Sequence, residues 1–244
     1  MGLWKDRLLP RSFRFLGGEP ALNPRLVELI EVARRNWPDS QLCMTTNGLV
    51  LHRQPRLAEA LAANRVHITW TIHHESEEYQ AAIAPVRETI EEWKTRYGIP
   101  VMIEHAYRRW SRRYQGHGRN VLPFEDHDEV SAWKNCACKF CRQLFRGRLW
   151  KCSTIAYLQL QKEKFPDLSP KWDPYLAYQG LDASCSDEEL HRFFKRQVER
   201  ICGMCPAKPE RFDKPLPFRR SAATRVAAED VSDETMASVE APSL

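Results

Sequence analysis

Phe13-Arg14-Phe15-Leu16-Gly17-Gly18-Glu19-Pro20 reads as a short apolar strand, Phe13–Leu16, that must turn at once through two glycines into a carboxylate and a proline. Glycine permits positive φ and lets a ligand approach the main chain closely. A plain βα turn, with Glu19 placed where a helix dipole favours an anion, is the alternative for this stretch taken alone. No Gly-Lys-Ser/Thr follows, so it is not a nucleotide phosphate loop.

Downstream, strand-like and helix-like segments alternate. Asn23-Pro24 has the chemistry of a helix start, and Leu26, Leu29 and Ile30 follow at helical spacing. Gln41–Thr46 reads as a buried strand ending at Asn47-Gly48, and Arg56–Asn64 as a short helix. Val66–Ile72 is β-rich, Ser76–Tyr97 reads as one long helix closed by Gly98, and Pro100–Glu104 as another strand. Such alternation predicts a parallel α/β sheet or part of a (β/α) barrel, with chemistry at the carboxyl ends of the strands. Those ends are Gly17–Pro20, Thr45–Gly48, His73-His74 and Glu104–Tyr107.

The second half changes character. Six of the eight cysteines fall in two groups: Cys136, Cys138, Cys141 and Cys152, with Gly147 between the last two, and the pair Cys202-Gly-Met-Cys205. Gln143–Trp150 reads as a hairpin turning at Gly147, which would bring Cys141 and Cys152 towards each other. Ser153–Phe165 and Ser186–Cys202 read as helices, the second opened by Ser186-Asp-Glu-Glu as a capping box. Thiolates at these spacings suit a soft metal or an iron–sulfur cluster, and four thiolates suit zinc equally well. A run of small buried residues is the alternative; Cys43, mid-strand, fits it, and Cys185 fits either reading. His73-His74 suits a polar contact in a cofactor pocket or a plain surface turn.

Composition narrows the class. With 244 residues, 43% hydrophobic and 28% charged, the chain is long enough for one large domain or two small ones. No apolar run approaches a membrane span, and the charged N-terminus is no secretory signal, so a cytoplasmic protein with reduced, metal-binding cysteines is expected. The net charge of +5 permits anionic partners without requiring them. Tyr107–Tyr114 and Arg119 mix cations with aromatics, as single-stranded RNA sites do. A solvated loop is preferred there, with one or two arginines free to meet an anionic group; nucleic acid is not the expected partner.

Taken together, Gly17-Gly18-Glu19-Pro20 after a strand, Thr45-Thr46-Asn47-Gly48 at the next strand end, and the cysteine pattern resemble the radical SAM superfamily over roughly residues 11–206. Cys136 and Cys152 around Gly147 resemble the opening of a SPASM or twitch extension, with Cys202 and Cys205 closing it. The resemblance implies an α/β fold: a partial (β/α) barrel missing its first strand, residues 1–130; a small cysteine-rich C-terminal extension, 131–211; and a disordered tail, 212–244. It implies S-adenosylmethionine (SAM) held by Gly17, Gly18, Glu19, Pro20, Thr46, Asn47 and His73. An auxiliary [4Fe-4S] cluster would take its ligands from Cys136, Cys138, Cys141, Cys152, Cys202 and Cys205. The implied activity is reductive cleavage of SAM and hydrogen abstraction from a substrate, preferably a peptide, with electrons from a flavodoxin- or ferredoxin-like donor. The family's Cys-X3-Cys-X2-Cys is expected before Gly17, where this sequence has 16 residues and no cysteine. Trp4–Leu9 looks like the end of the helix that should follow the first strand, so the chain as written is expected to begin inside the fold and to be inactive alone. A non-catalytic iron–sulfur or zinc-binding protein is the other reading, and an RNA-contacting protein using Arg108–Arg119 a third.

Overall fold

The computed structural model describes residues 1–106 and 110–211. They form two compact units. One contains Ser12–Glu31 and Gln41–His105; the other contains Met1–Arg11, Val32–Ser40 and the described residues from Ala106 onward. Tyr107, Arg108 and Arg109, and the tail expected to be disordered, lie outside the described residues.

The first unit is α/β. Strands β1 (Ser12–Phe15), β2 (Gln41–Thr46), β3 (Val66–Ile72) and β4 (Val101–His105) form a parallel sheet in the order β1-β2-β3-β4. Phe15 lies opposite Met44, Met44 opposite Ile68 and Ile68 opposite Val101. One face therefore carries Leu42, Met44, Ile68, Trp70 and Ile72, all buried. Period-2 alternation places Arg14, Cys43, Thr45, Thr69 and Thr71 on the other face.

The connections carry helices α1 (Leu26–Asn36), α2 (Leu57–Ala63), α3 (Glu77–Ala82) and α4 (Ala84–Tyr97). The single helix expected over Ser76–Tyr97 is broken at Ile83. Pro85 has no N–H to offer the carbonyl of Ala81, so the ladder cannot run through. The end of α4 is as expected: Gly98 adopts φ 65° and donates its N–H to the Lys94 carbonyl.

The second unit carries the cysteines. It contains α5 (Glu129–Lys134), strands β5 (Gln143–Phe145) and β6 (Arg148–Trp150), then α6 (Ser153–Lys164), α7 (Asp173–Leu176) and α8 (Asp187–Lys195). The expected hairpin forms. Arg146 and Gly147 both have positive φ, 50° and 74°, which is the geometry of a two-residue type I′ turn. Its core packs Trp150, Ile155, Ala156, Trp172, Ile201 and Met204.

Two expectations are corrected here. Trp4–Leu9 is not the end of a long helix: only Gly2–Trp4 makes a 3-10 turn, and Trp4, fully buried, donates its indole N–H to the Gly147 carbonyl. Nor does a helix run from Ser186 to Cys202. The capping box at Ser186 and Glu189 is present, but α8 stops at Lys195 and Arg196 is extended. Buried Lys151 donates from its ammonium to the carbonyls of Phe193 and Arg196, fixing the chain in a non-helical path. Cys202 sits instead in a 3-10 turn, Arg200–Met204.

Candidate functional site

In the α/β unit Glu19 joins the carboxyl ends of β1 and β2, and Trp70 and Thr71 join β3 to β2 there. Its Oε1 accepts from the Ala21 N–H at 3.1 Å and from the Thr46 hydroxyl at 2.7 Å; its Oε2 accepts from the Asn47 N–H at 2.9 Å. Thr46, 1% exposed, in turn accepts from the Gly48 N–H. The Thr71 hydroxyl donates to the Thr46 carbonyl, and the Trp70 indole to the Asn47 carbonyl. Three donors leave the carboxylate one of its roughly four lone-pair positions. Pro20 opens a 3-10 turn, Pro20–Leu22, capped by Glu19 itself.

His73, after β3, places Nε2 3.0 Å from the Thr71 hydroxyl, and its main-chain N–H donates to the Tyr79 hydroxyl. Burial lowers its pKa, while the Glu19 carboxylate pulls the other way. The structure thus gathers Glu19, Thr46, Asn47 and His73 at one end of the sheet.

Gly17 and Gly18 differ from expectation. Neither has a positive φ, and a Cβ on either would meet nothing within 4 Å. Their smallness leaves open space beside the Glu19 loop rather than permitting a strained turn. The glycine with no substitute is Gly48: φ is 84°, and a Cβ would lie 2.2 Å from Val86 Cγ1. Arg14 is a residue that the sequence reading passed over. On the second sheet face its guanidinium donates to the hydroxyls of Thr45 at 2.7 Å and Thr69 at 3.0 Å, linking three strands.

In the other unit, Cys136, Cys138, Cys152, Cys202 and Cys205 line one cavity of about 40 Å³. Cys141 is exposed and outside that lining, although its thiol hydrogen-bonds Cys138. Local geometry sets these positions. The cysteine block turns through Cys136 N–H to Trp133 O and Cys141 N–H to Cys138 O; Cys152 is the N-cap of α6; Cys205 donates its N–H back to Cys202 O. Cys43 is core packing beside Thr69, as expected. Cys185 lies against Arg7, whose guanidinium reaches its Sγ at 3.3 Å, and takes no part in the cavity.

The thiols differ electrostatically. The hydrogen bond from Cys141 and the charge of Arg113 bring Cys138 down to about 6. Burial pushes Cys152 up to about 11, Cys205 up to about 12, and Cys202 upward. Among the described residues, two further lining residues have buried donors with no partner, Trp133 Nε1 and Arg142 Nε. Buried N–H groups are normally satisfied, so this wall can offer both to an acceptor in the cavity.

That donor set, thiols plus orphaned N–H groups, fits a thiophilic metal centre. Among the described residues no three His, Cys, Asp or Glu side chains are drawn into a finished ligand group. The cavity, about 40 Å³, exceeds the roughly 10–15 Å³ that one water needs, and its thiols come from three segments of the chain. Among the described residues no helix is long and apolar enough to cross a membrane.

No protein-family model matches the chain. Local similarity connects it to curated relatives. It is 35% identical over 75 residues to the GTP 3′,8-cyclase of Paenarthrobacter nicotinovorans, covering 31% of this chain and 21% of that one. It is 46% identical over 44 residues to that of Chlorobaculum tepidum (18% and 13%). It is 39% identical over 56 residues to that of Streptomyces coelicolor (23% and 16%). The similar stretches thus span about a fifth or less of those relatives. The chain is similar, over short stretches, to three GTP 3′,8-cyclases.

Proposed function

We propose that the α/β unit is part of a radical SAM (β/α) barrel whose strand ends hold the methionine part of SAM, and that the cysteine cavity is a SPASM- or twitch-like auxiliary iron–sulfur site. One observation carries the reading: a Gly-Gly-Glu-Pro loop whose Glu19 is tied to Thr46 and Asn47 at the carboxyl ends of adjacent parallel strands. That is where parallel α/β folds bind ligands.

In this reading Gly17 and Gly18 leave room for the ligand's amino group at the main chain. Glu19 holds the loop and offers its remaining lone pair, and His73 contributes a mostly neutral ring. Bound SAM and cluster supply the radical chemistry, a reductive cleavage followed by hydrogen abstraction; the protein binds, orients and excludes water. Cys136, Cys138, Cys152, Cys202 and Cys205 are the candidate cluster ligands, with Cys141 at the surface as a sixth. A peptide substrate and a flavodoxin- or ferredoxin-like electron donor complete the proposal.

Ligand-detected NMR with SAM, which registers weak binding, tests it. Binding that disappears in Gly17→Val and Gly18→Val is expected; binding that both variants retain overturns the site. The second reading, a non-catalytic zinc site, is favoured by the number of thiols around one cavity, because four thiolates suit zinc equally well. Anaerobic purification decides between them: a brown protein with iron and sulfide supports the first, and a colourless one with stoichiometric zinc the second.

A further inference from the structure

A second cavity in the cysteine-bearing unit is ligand-sized, about 530 Å³. Arg113, Lys208 and Arg211 line it, with the polar side chains of Ser111 and Asn135. No carboxylate lies on its lining, and neither Lys208 nor Arg211 meets one among the described residues. Three cations around one open cleft repel one another, an arrangement that costs stability unless something negative enters.

The cleft is fixed by the main chain. Ser111 and Arg211 form an antiparallel bridge, and Asn135 donates from its side chain to the Ala207 carbonyl, anchoring the segment that presents Lys208. Pro209 restricts the backbone between Lys208 and Arg211. Arg113 also places Nη1 3.7 Å from Cys136 Sγ, so the cleft shares a wall with the thiol cavity.

We infer that this cleft binds a small-molecule oxyanion carrying at least two negative charges. Arg113 and Arg211 offer planar forks that match phosphate or carboxylate oxygens, and Lys208 a point charge. Among the described residues no aromatic side chain lines the cleft, so they give no platform for stacked bases and do not suit single-stranded nucleic acid. The inference does not depend on which metal the thiols hold.

The test is calorimetry on the purified full chain with its bound metal, at low salt. The probes are pyrophosphate, citrate and a short single-stranded RNA. One saturable site for pyrophosphate or citrate is expected, weakened at least tenfold in Lys208→Ala/Arg211→Ala and by raised salt. Whichever of the two probes binds more tightly identifies the anion as phosphoryl or carboxylate. Metal content, measured in the same samples, should be unchanged by the double variant, so loss of the metal site and loss of the anion site are read separately. No saturable binding, binding unaffected by the double variant, or binding of the RNA alone overturns the inference.

Discussion

The Thr46 hydroxyl donates to Glu19 Oε1 at 2.7 Å while accepting from the Gly48 N–H at 2.9 Å, so one buried side chain ties the loop after β1 to the turn after β2. Thr46→Val keeps the shape and removes both bonds. Leaving buried partners unsatisfied costs about 1–3 kcal/mol. Urea unfolding should show a loss of about 2 kcal/mol for Thr46→Val and under about 1 kcal/mol for Thr46→Ser, which retains the hydroxyl. Equal losses would mean that the methyl group, not the network, matters at this position.

Two kinds of glycine separate folding from binding. Gly48→Ala places a Cβ at φ 84° and 2.2 Å from Val86 Cγ1. Left-handed backbone costs about 1–2 kcal/mol and overpacking about 1–3 kcal/mol, so a loss of about 2–5 kcal/mol is expected. Gly17→Ala meets nothing within 4 Å and should leave the unfolding midpoint within about 0.5 kcal/mol of the parent. Chemical denaturation of the two variants side by side checks the contrast.

Much of this was legible in the residues. Gln41–Thr46 and Val66–Ile72 are dense β-formers bounded by turn residues, and both strands occur at those bounds. The hairpin followed from Gly147. The break at Ile83 was also signalled, by Pro85, but the apolar spacing on either side masks it. The early end of α8 was not legible, because it depends on Lys151, more than 40 residues away, reaching the carbonyls of Phe193 and Arg196. The same holds for the sites. Glu19, Thr46 and Asn47 could be placed by strand ends, and the cysteines by spacing. The cleft of Arg113, Lys208 and Arg211 joins segments nearly 100 residues apart and had no local signature.

The cysteines should react with iodoacetamide in a pH-dependent order in metal-free protein. Only the thiolate attacks. Cys138, brought down to about 6 by Cys141 and Arg113, should be alkylated with a midpoint near pH 6, while Cys152 and Cys205, raised by burial, stay unmodified through neutral pH. Peptide mass spectrometry reads this directly, and Arg113→Gln should move the Cys138 midpoint upward. The linkage has a definite sign. Between about pH 6 and 9 the unfolded chain holds the Cys138 proton that the native state has lost, so this group's contribution to stability rises with pH and is lost as pH falls through about 6. Above pH 9 the native state keeps the protons of Cys152 and Cys205 that the unfolded chain releases, and stability falls. A Cys138 midpoint near that of an ordinary thiol would mean that Cys141 and Arg113 do not stabilise its thiolate.

Lys151 is the buried charge on which the wall of the thiol cavity depends. Its side chain is 6% exposed and its ammonium lies 2.9 Å from Glu199 Oε1, itself 12% exposed, as well as meeting the carbonyls of Phe193 and Arg196. Burial lowers its pKa and the Glu199 carboxylate restores part of the shift. Lys151→Met takes the counter-charge from a mostly buried carboxylate, leaving it the Tyr178 hydroxyl, and takes the donor from both carbonyls, a kind of loss that typically costs about 3–5 kcal/mol. Glu199→Gln leaves Lys151 its two carbonyl acceptors and an amide oxygen, and should cost about 1–2 kcal/mol. The double variant Lys151→Met/Glu199→Gln should then be more stable than Lys151→Met alone, because the stranded anion is gone. Because Lys151 precedes Cys152 and Glu199 lies three residues before Cys202, bound metal should fall with the same ranking. Thermal unfolding with metal analysis on each variant checks both orders. A double variant no more stable than Lys151→Met would mean that the lost carbonyl bonds, rather than the uncompensated carboxylate, dominate the energetics of this wall.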